Sequence, residues 1–182
     1  MIAGSVMKHS AFIGLGSNLA NPAAQVLQAM QAIGELPDTR VLARSSLYRS
    51  APIGYLDQPD FINAVVKIET TLQPLALLRS MLELEQDNGR TREFKNAPRT
   101  LDLDVLMYDD LQHHEHGLTL PHPQMHKRAF VLQPLLEIEP GCLIPGIGSA
   151  SVAMERCKDQ KLQRLKIGAA KTGATKTGAL GK

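Results

Sequence analysis

The apolar residues of this chain change their spacing in a fixed order, and that order limits the folds open to it. Residues 11–16 (AFIGLG) are a short apolar run closed by glycine, the pattern of a strand. Residues 23–36 (AAQVLQAMQAIGEL) carry Val26, Leu27, Met30 and Ile33 at the spacing of one helical face. Residues 40–50 (RVLARSSLYRS) predict a strand of mixed faces. Residues 51–60, with two prolines, a glycine and two aspartates, predict a loop. Residues 61–70 (FINAVVKIET) are β-branched and alternate, so they predict a strand. Residues 72–89 predict a helix, with proline near its start and an Asn-Gly pair at its end. Residues 101–108 alternate again. The order is β-α-β-β-α-β.

That order belongs to the ferredoxin-like α+β sandwich, an antiparallel four-stranded sheet with two helices on one face. Residues 118–140 and a Gly/Pro-rich stretch after them predict further short strand and helix elements as C-terminal additions. We expect one domain over 11–157, an N-terminal extension over 1–10 and a basic low-complexity tail over 158–182. The tail repeats KTGA at 171–174 and 176–179. It holds too little apolar surface to order itself, so disorder is expected there. The two cysteines, Cys142 and Cys157, have no metal-like spacing and read as free thiols of a reducing cytoplasm.

The net charge of +2 conceals two unlike parts. Residues 158–182 hold seven of the 20 basic residues and one acid, which leaves 1–157 with a net of −4. An acidic body argues against a nucleic-acid partner. An aromatic content of 4% leaves no stacking platform for RNA bases. No apolar run approaches a membrane span, and the N-terminus lacks the apolar core of a secretory signal.

One strand carries an unusual pair. In APRTLDLDVLMY (97–108), Leu101, Leu103, Val105 and Met107 define one apolar face. The opposite face begins with Asp102 and Asp104, side by side at i and i+2. Adjacent carboxylates repel, and a bound cation removes that cost. Hard oxygen ligands in this arrangement suit Mg²⁺, which takes one or two carboxylates together with substrate phosphates. Upstream, GRTREFKNAPRT (89–100) sets Arg90, Arg92, Lys95 and Arg99 against a single acid. Arginine binds phosphate through a rigid fork of donors. Cations beside a metal site are the parts phosphoryl transfer requires. A third cluster, PHPQMHKRAF (121–130), adds His122, His126, Lys127 and Arg128. His113, His114 and His116 in QHHEHG read as an exposed loop. GLGSN (14–18) fits neither common glycine-rich nucleotide fingerprint, so a P-loop architecture is excluded. On these residues alone two rivals stay open. One is a nucleotidyl transferase using the same D-x-D, and the other a nucleic-acid module using the arginine loop and tail.

Five blocks in order, FIGLGSNL, RSAPIGYLDQPDFINAVV, GRTR, APRTLDLDVLMY and LPHPQMHKRAFVLQPL, resemble the 6-hydroxymethyl-7,8-dihydropterin pyrophosphokinase family over about residues 11–140. The resemblance implies transfer of pyrophosphate from ATP to the pterin hydroxymethyl group, with AMP released, in folate synthesis. It implies two Mg²⁺ ions held by Asp102 and Asp104, with Arg90 and Arg99 holding the phosphates and supporting transfer. It assigns Glu85, Arg92, Thr119, His122 and Arg128 to ATP. Phe61 and Phe130 would sandwich the pterin ring. Asn63 would bond its polar edge, helped by the backbone of Ser50, Ile53 and Gly54. The expected enzyme is a cytoplasmic monomer acting on small molecules, with loops 50–58 and 89–98 as its moving parts. Three features depart from the family pattern. The 93–97 loop lacks the tryptophan of the enterobacterial type and is about one residue shorter. Pro123 and Gly117 stand where some members carry tyrosine and arginine.

Overall fold

A computed structural model of the protein describes residues 7–89, 98–115 and 117–166. It contains β1 (His9–Ser17), α1 (Pro22–Gly34), β2 (Thr39–Arg44), β3 (Tyr48–Ser50), β4 (Phe61–Thr70), α2 (Pro74–Asp87) and β5 (Asp102–Tyr108). There follow β6 (His113–Glu115), β7 (Leu118–Leu120), a 3-10 turn (Met125–Lys127), α3 (Ala129–Ile138), β8 (Leu143–Ile144), β9 (Gly148–Ser149), α4 (Ala150–Glu155) and β10 (Leu162–Arg164). The main sheet is antiparallel in the order β10-β3-β4-β1-β5, with β2 also beside β4. Its first four predicted strands therefore lie in ferredoxin-like order, with β1 and β4 at the centre.

The two early helices begin as their sequences direct. Proline occupies the first turn of each, where its missing N–H goes unused. α1 buries Val26, Ala29, Met30 and Ile33, while Leu27, expected on that face, is 42% exposed. α2 buries Leu77, Met81 and Glu85, a stripe at i, i+4 and i+8 that ends in a carboxylate. These helices cover one face of the sheet, over Ala11, Ile13 and Leu15 of β1 and Leu103 and Val105 of β5. The C-terminal additions cover the other face. There Phe12, Val65, Leu106 and Met107 pack against Leu132 and Leu135 of α3, Ala150 and Ala153 of α4, and both buried free cysteines.

Three expectations about strands require correction. The stretch 40–50 is not one strand. β2 and β3 both pair with β4, but Arg44 faces Val66 and Tyr48 faces Asn63, four steps against three. At the break, Ser45 Oγ accepts the Val65 N–H at 2.9 Å, so a side chain replaces a ladder carbonyl. Met107 does not share the face of Leu103 and Val105. The register of β1 on β5 slips between Phe12 and Ile13, where Leu106 is the additional residue, and from there the faces of β5 exchange. His113–Glu115 is not a loop but β6, paired with β7.

Both ends of the folded body lie beyond the expected bounds. β1 starts at His9 rather than at 11, and Ser10 N–H donates to Asp109 at 2.7 Å. Residues 158–166, expected in the tail, include β10, which pairs with β3 from Leu162↔Ser50 to Arg164↔Tyr48. Arg164 is held by Glu137 at 2.9 Å and by Ser46 Oγ at 2.8 Å. Residues 167–182, with the KTGA repeat, lie outside the described residues. Among those described, no helix is long and apolar enough to cross a membrane.

Candidate active site

A cavity of about 370 Å³ opens on the α3 side of the sheet. Its floor is bare backbone, because Gly14 and Gly16 of the central strand carry no side chain. The register sets Gly14 opposite Asp104 and Gly16 opposite Asp102 on one side, and Gly16 opposite Asn63 on the other. A Cβ at Gly16 would come within 3.4 Å of Asn63 Oδ1, and one at Gly14 within 3.3 Å of Leu106. Glycine in a paired strand marks a close approach, here by the side chains of Leu106 and Asn63.

The walls divide by chemistry. One wall carries Asp102, Asp104, Arg99 and Arg128. Arg99 Nη1 pairs with Asp102 Oδ2, so the repulsion between the two carboxylates is already relieved by an internal cation. His122 Nε2 stands 4.0 Å from Asp104 Oδ2. Burial, with Arg128 adding to it, pushes the His122 imidazole down to about 4 against the pull of Asp102. It is therefore neutral at pH 7. Its Nδ1 accepts the Gln124 N–H at 3.2 Å, which leaves the proton on Nε2, facing Asp104. The other wall carries Phe61, Phe130, Asn63, Ser50, Ala51 and Ile53. Asn63 is 4% exposed and its Nδ2 donates to Ser50 Oγ at 2.9 Å. The Arg128 guanidinium lies 5.7 Å from the centre of the Phe130 ring, at the join of the two walls. The site thus pairs a slot for a flat polar ring with a charged shelf for phosphate.

Comparisons with known proteins place the chain in a family. Residues 12–140 match the model of the 7,8-dihydro-6-hydroxymethylpterin-pyrophosphokinase family. The chain belongs to this family. It is 42% identical over 156 residues to 2-amino-4-hydroxy-6-hydroxymethyldihydropteridine pyrophosphokinase of Haemophilus influenzae, covering 86% of this chain and 98% of that one. The enzyme of the same name from Bacillus subtilis is 40% identical over 132 residues, covering 72% and 79%. A solved Plasmodium falciparum HPPK-DHPS, crystallised with pterin and p-hydroxybenzoate, superposes with a TM-score of 0.69 at 13% identity. That match covers 91% of this chain and 49% of the other, so the chain spans about half the length of that protein.

Of the residues this pyrophosphokinase family led us to expect, Asp102, Asp104, Arg99, Arg128, Ser50, Ile53, Phe61, Asn63 and Phe130 line one cavity. His122 adjoins it through Asp104. Gly54 follows Ile53 with φ of 89°, a left-handed turn at the cavity's rim. Two others lie elsewhere. Glu85 is 1% exposed, and its Oε1 accepts the Leu103 N–H at 2.7 Å, which ties α2 to the back of β5. Thr119 sits on β7, where its hydroxyl bonds His114 Nδ1 at 2.9 Å. Arg90, Arg92 and most of the 89–98 loop lie outside the described residues. Sequence reasoning missed Gly14, Gly16, Gln58 and Gln124 of the lining. In the sequence the glycines read as the close of a strand, as part of a family block and as a failed nucleotide fingerprint, not as lining. Their alternation along a strand was the available signal.

Asp102 and Asp104 are the residues fitted to a divalent cation. Both are carboxylates and both line the cavity. Among the described residues no group of three or more His, Cys, Asp and Glu gathers to hold a metal, at this site or at any other, so these two carboxylates would need oxygens from substrate to complete a shell. Two carboxylates with substrate oxygens completing the shell is the usual arrangement for Mg²⁺.

Proposed function

We propose that this protein transfers the pyrophosphoryl group of ATP to 6-hydroxymethyl-7,8-dihydropterin. The observation that carries the reading is the joining of an aromatic and amide wall to a wall of two carboxylates and two arginines across a glycine floor. The pterin lies between Phe61 and Phe130. Each ring pair gains about 0.5–1.5 kcal/mol beyond area burial. Asn63 meets the polar edge of the pterin, and the backbone at Ser50, Ile53 and Gly54 completes the match.

The hydroxymethyl oxygen attacks the β-phosphorus. The bond from that phosphorus to the oxygen bridging it to the α-phosphorus breaks, AMP leaves, and the hydroxyl proton is released. Arg99, Arg128 and His122 Nε2–H face the phosphate side, where they offset charge on the transferred and departing groups. Arg90 and Arg92, outside the described residues, are assigned to the same phosphates by the family resemblance. Glu85 supports the nucleotide side indirectly, by fixing the β5 backbone at Leu103, and Thr119 would meet the nucleotide from β7, outside the cavity. Asp102 and Asp104 would hold Mg²⁺, two ions in our reading, and the metal would supply neutralisation of the triphosphate. Arg99 exchanges its bond with Asp102 for phosphate when nucleotide and metal arrive. The enzyme works as a cytoplasmic monomer on these small molecules, without nucleic acid or membrane. The acidic balance of residues 1–157 supports that choice.

The test mixes protein, ATP, Mg²⁺ and 6-hydroxymethyl-7,8-dihydropterin and follows AMP. AMP dependent on both pterin and metal is expected. Pyrophosphate in its place would turn the reading to a nucleotidyl transferase.

A further inference from the structure

Asn18 follows β1 directly and is 3% exposed. It does not line the cavity itself, yet it bonds to residues that do, on both sides. Its backbone N–H donates to Arg99 O at 3.1 Å, and its Oδ1 accepts the Arg99 N–H at 2.9 Å. Its Nδ2 donates to Gln58 Oε1 at 2.9 Å and to Pro59 O at 3.1 Å. Gln58 lines the cavity, and its own Nε2 donates to Tyr55 O at 2.6 Å. The orientation of the amide is fixed by backbone groups. A backbone N–H must face its oxygen and a backbone carbonyl must face its nitrogen.

We infer that Asn18 is a positioning residue that keeps the pterin wall and the phosphate wall in register. This rests on the functional reading above. Both hydrogens and the oxygen of one small amide are committed to distant segments, 40 and 41 residues along the chain for Gln58 and Pro59 and 81 for Arg99. The segments are the 51–60 loop and the lead-in to β5 that carries Arg99. Aspartate at this position has the same shape and keeps the acceptor for Arg99. It sets an oxygen against Pro59 O and Gln58 Oε1, so it separates the two arms.

The experiment compares Asn18→Asp and Asn18→Ala with the unaltered protein by steady-state kinetics, amide hydrogen exchange and thermal melting. In Asn18→Asp, KM for the pterin rises about tenfold, the worth of one lost hydrogen bond. KM for ATP and exchange at the Arg99 amide stay as they were. In Asn18→Ala, both KM values rise, kcat falls, and exchange at the Arg99 amide quickens about tenfold. Lower melting temperatures with both KM values unchanged in Asn18→Asp would reduce Asn18 to a structural residue and overturn the inference. So would unchanged Arg99 exchange in a folded Asn18→Ala. If Asn18→Ala does not fold, the split between the two KM values in Asn18→Asp decides. If the unaltered protein forms no AMP, the functional reading has failed, and the exchange contrast still judges the position of Asn18.

Discussion

Asp102 and Asp104 look equivalent in the sequence, and the structure makes them different. Asp102 is paired with Arg99, three residues before it, whereas Asp104 faces the His122 imidazole. Removing one of two repelling carboxylates would relieve that repulsion, but at Asp102 it also removes the ion pair with Arg99. Asp102→Ala and Asp104→Ala should each lower kcat by at least about a hundredfold. Asp102→Ala should show no gain in melting temperature, and circular dichroism with AMP assays checks both. The pair was legible because strand alternation places i and i+2 together. The Arg99 contact was not, because three residues' separation on a non-helical lead-in defines no direction. Gly16→Val gives a second check. The branched side chain would enter the floor beside Asn63, so pterin binding by calorimetry should weaken at least about tenfold while ATP binding changes less.

At the scale of elements, the short strand β3 is held from both edges. β4 lies on one side and β10 on the other, and Glu137 of α3 clamps the corner. Its carboxylate accepts from Ser46 N–H at 3.0 Å, Ser46 Oγ at 2.8 Å and Tyr48 Oη at 2.8 Å, and it pairs with Arg164. Burial pushes the Glu137 carboxyl up, but the bonds from Ser46 and Tyr48 together with Arg164 outweigh it, and it titrates below its ordinary value. A lowered carboxylate stabilises the fold above the unfolded value and loses that effect as pH falls through the folded one. Glu137→Gln should thus cost about 1–3 kcal/mol at pH 7 and much less near pH 3, read from urea melts at the two pH values. None of this clamp was visible beforehand. β10 is three residues long and borders a polar repeat, so composition assigned it to the tail. The break at Ser45 was equally hidden, since a serine hydroxyl standing in for a carbonyl leaves no trace in apolar spacing.

Across the whole molecule, one sheet serves two cores. Neighbouring residues of β1 point into opposite cores, Ile13 toward α1 and α2 and Phe12 toward α3 and α4. Met81 in the first core and Leu132 in the second are both fully buried. Met81→Ala and Leu132→Ala should each cost about 2–5 kcal/mol. Because the sheet is shared, each variant should still unfold in a single step, with tertiary and secondary signals falling together in urea. The first core was legible through the helical spacing of α1 and α2 and the alternation of β4. The second was only partly so. The chain after residue 118 has short elements with weak periodicity, and the bulge at Leu106 reverses the faces of β5 partway along. The site lies on this second side, which is why its aspartates could be named while its floor could not.

That floor bears on inhibition. A compound competing for the ring slot would rest on peptide planes, not on side chains, at residues 14 and 16. Drug resistance commonly arises by exchanging a contacting side chain for another. At these two positions any exchange adds bulk, and bulk at Gly16 would press on Asn63, so it would disturb the substrate's site along with the drug's.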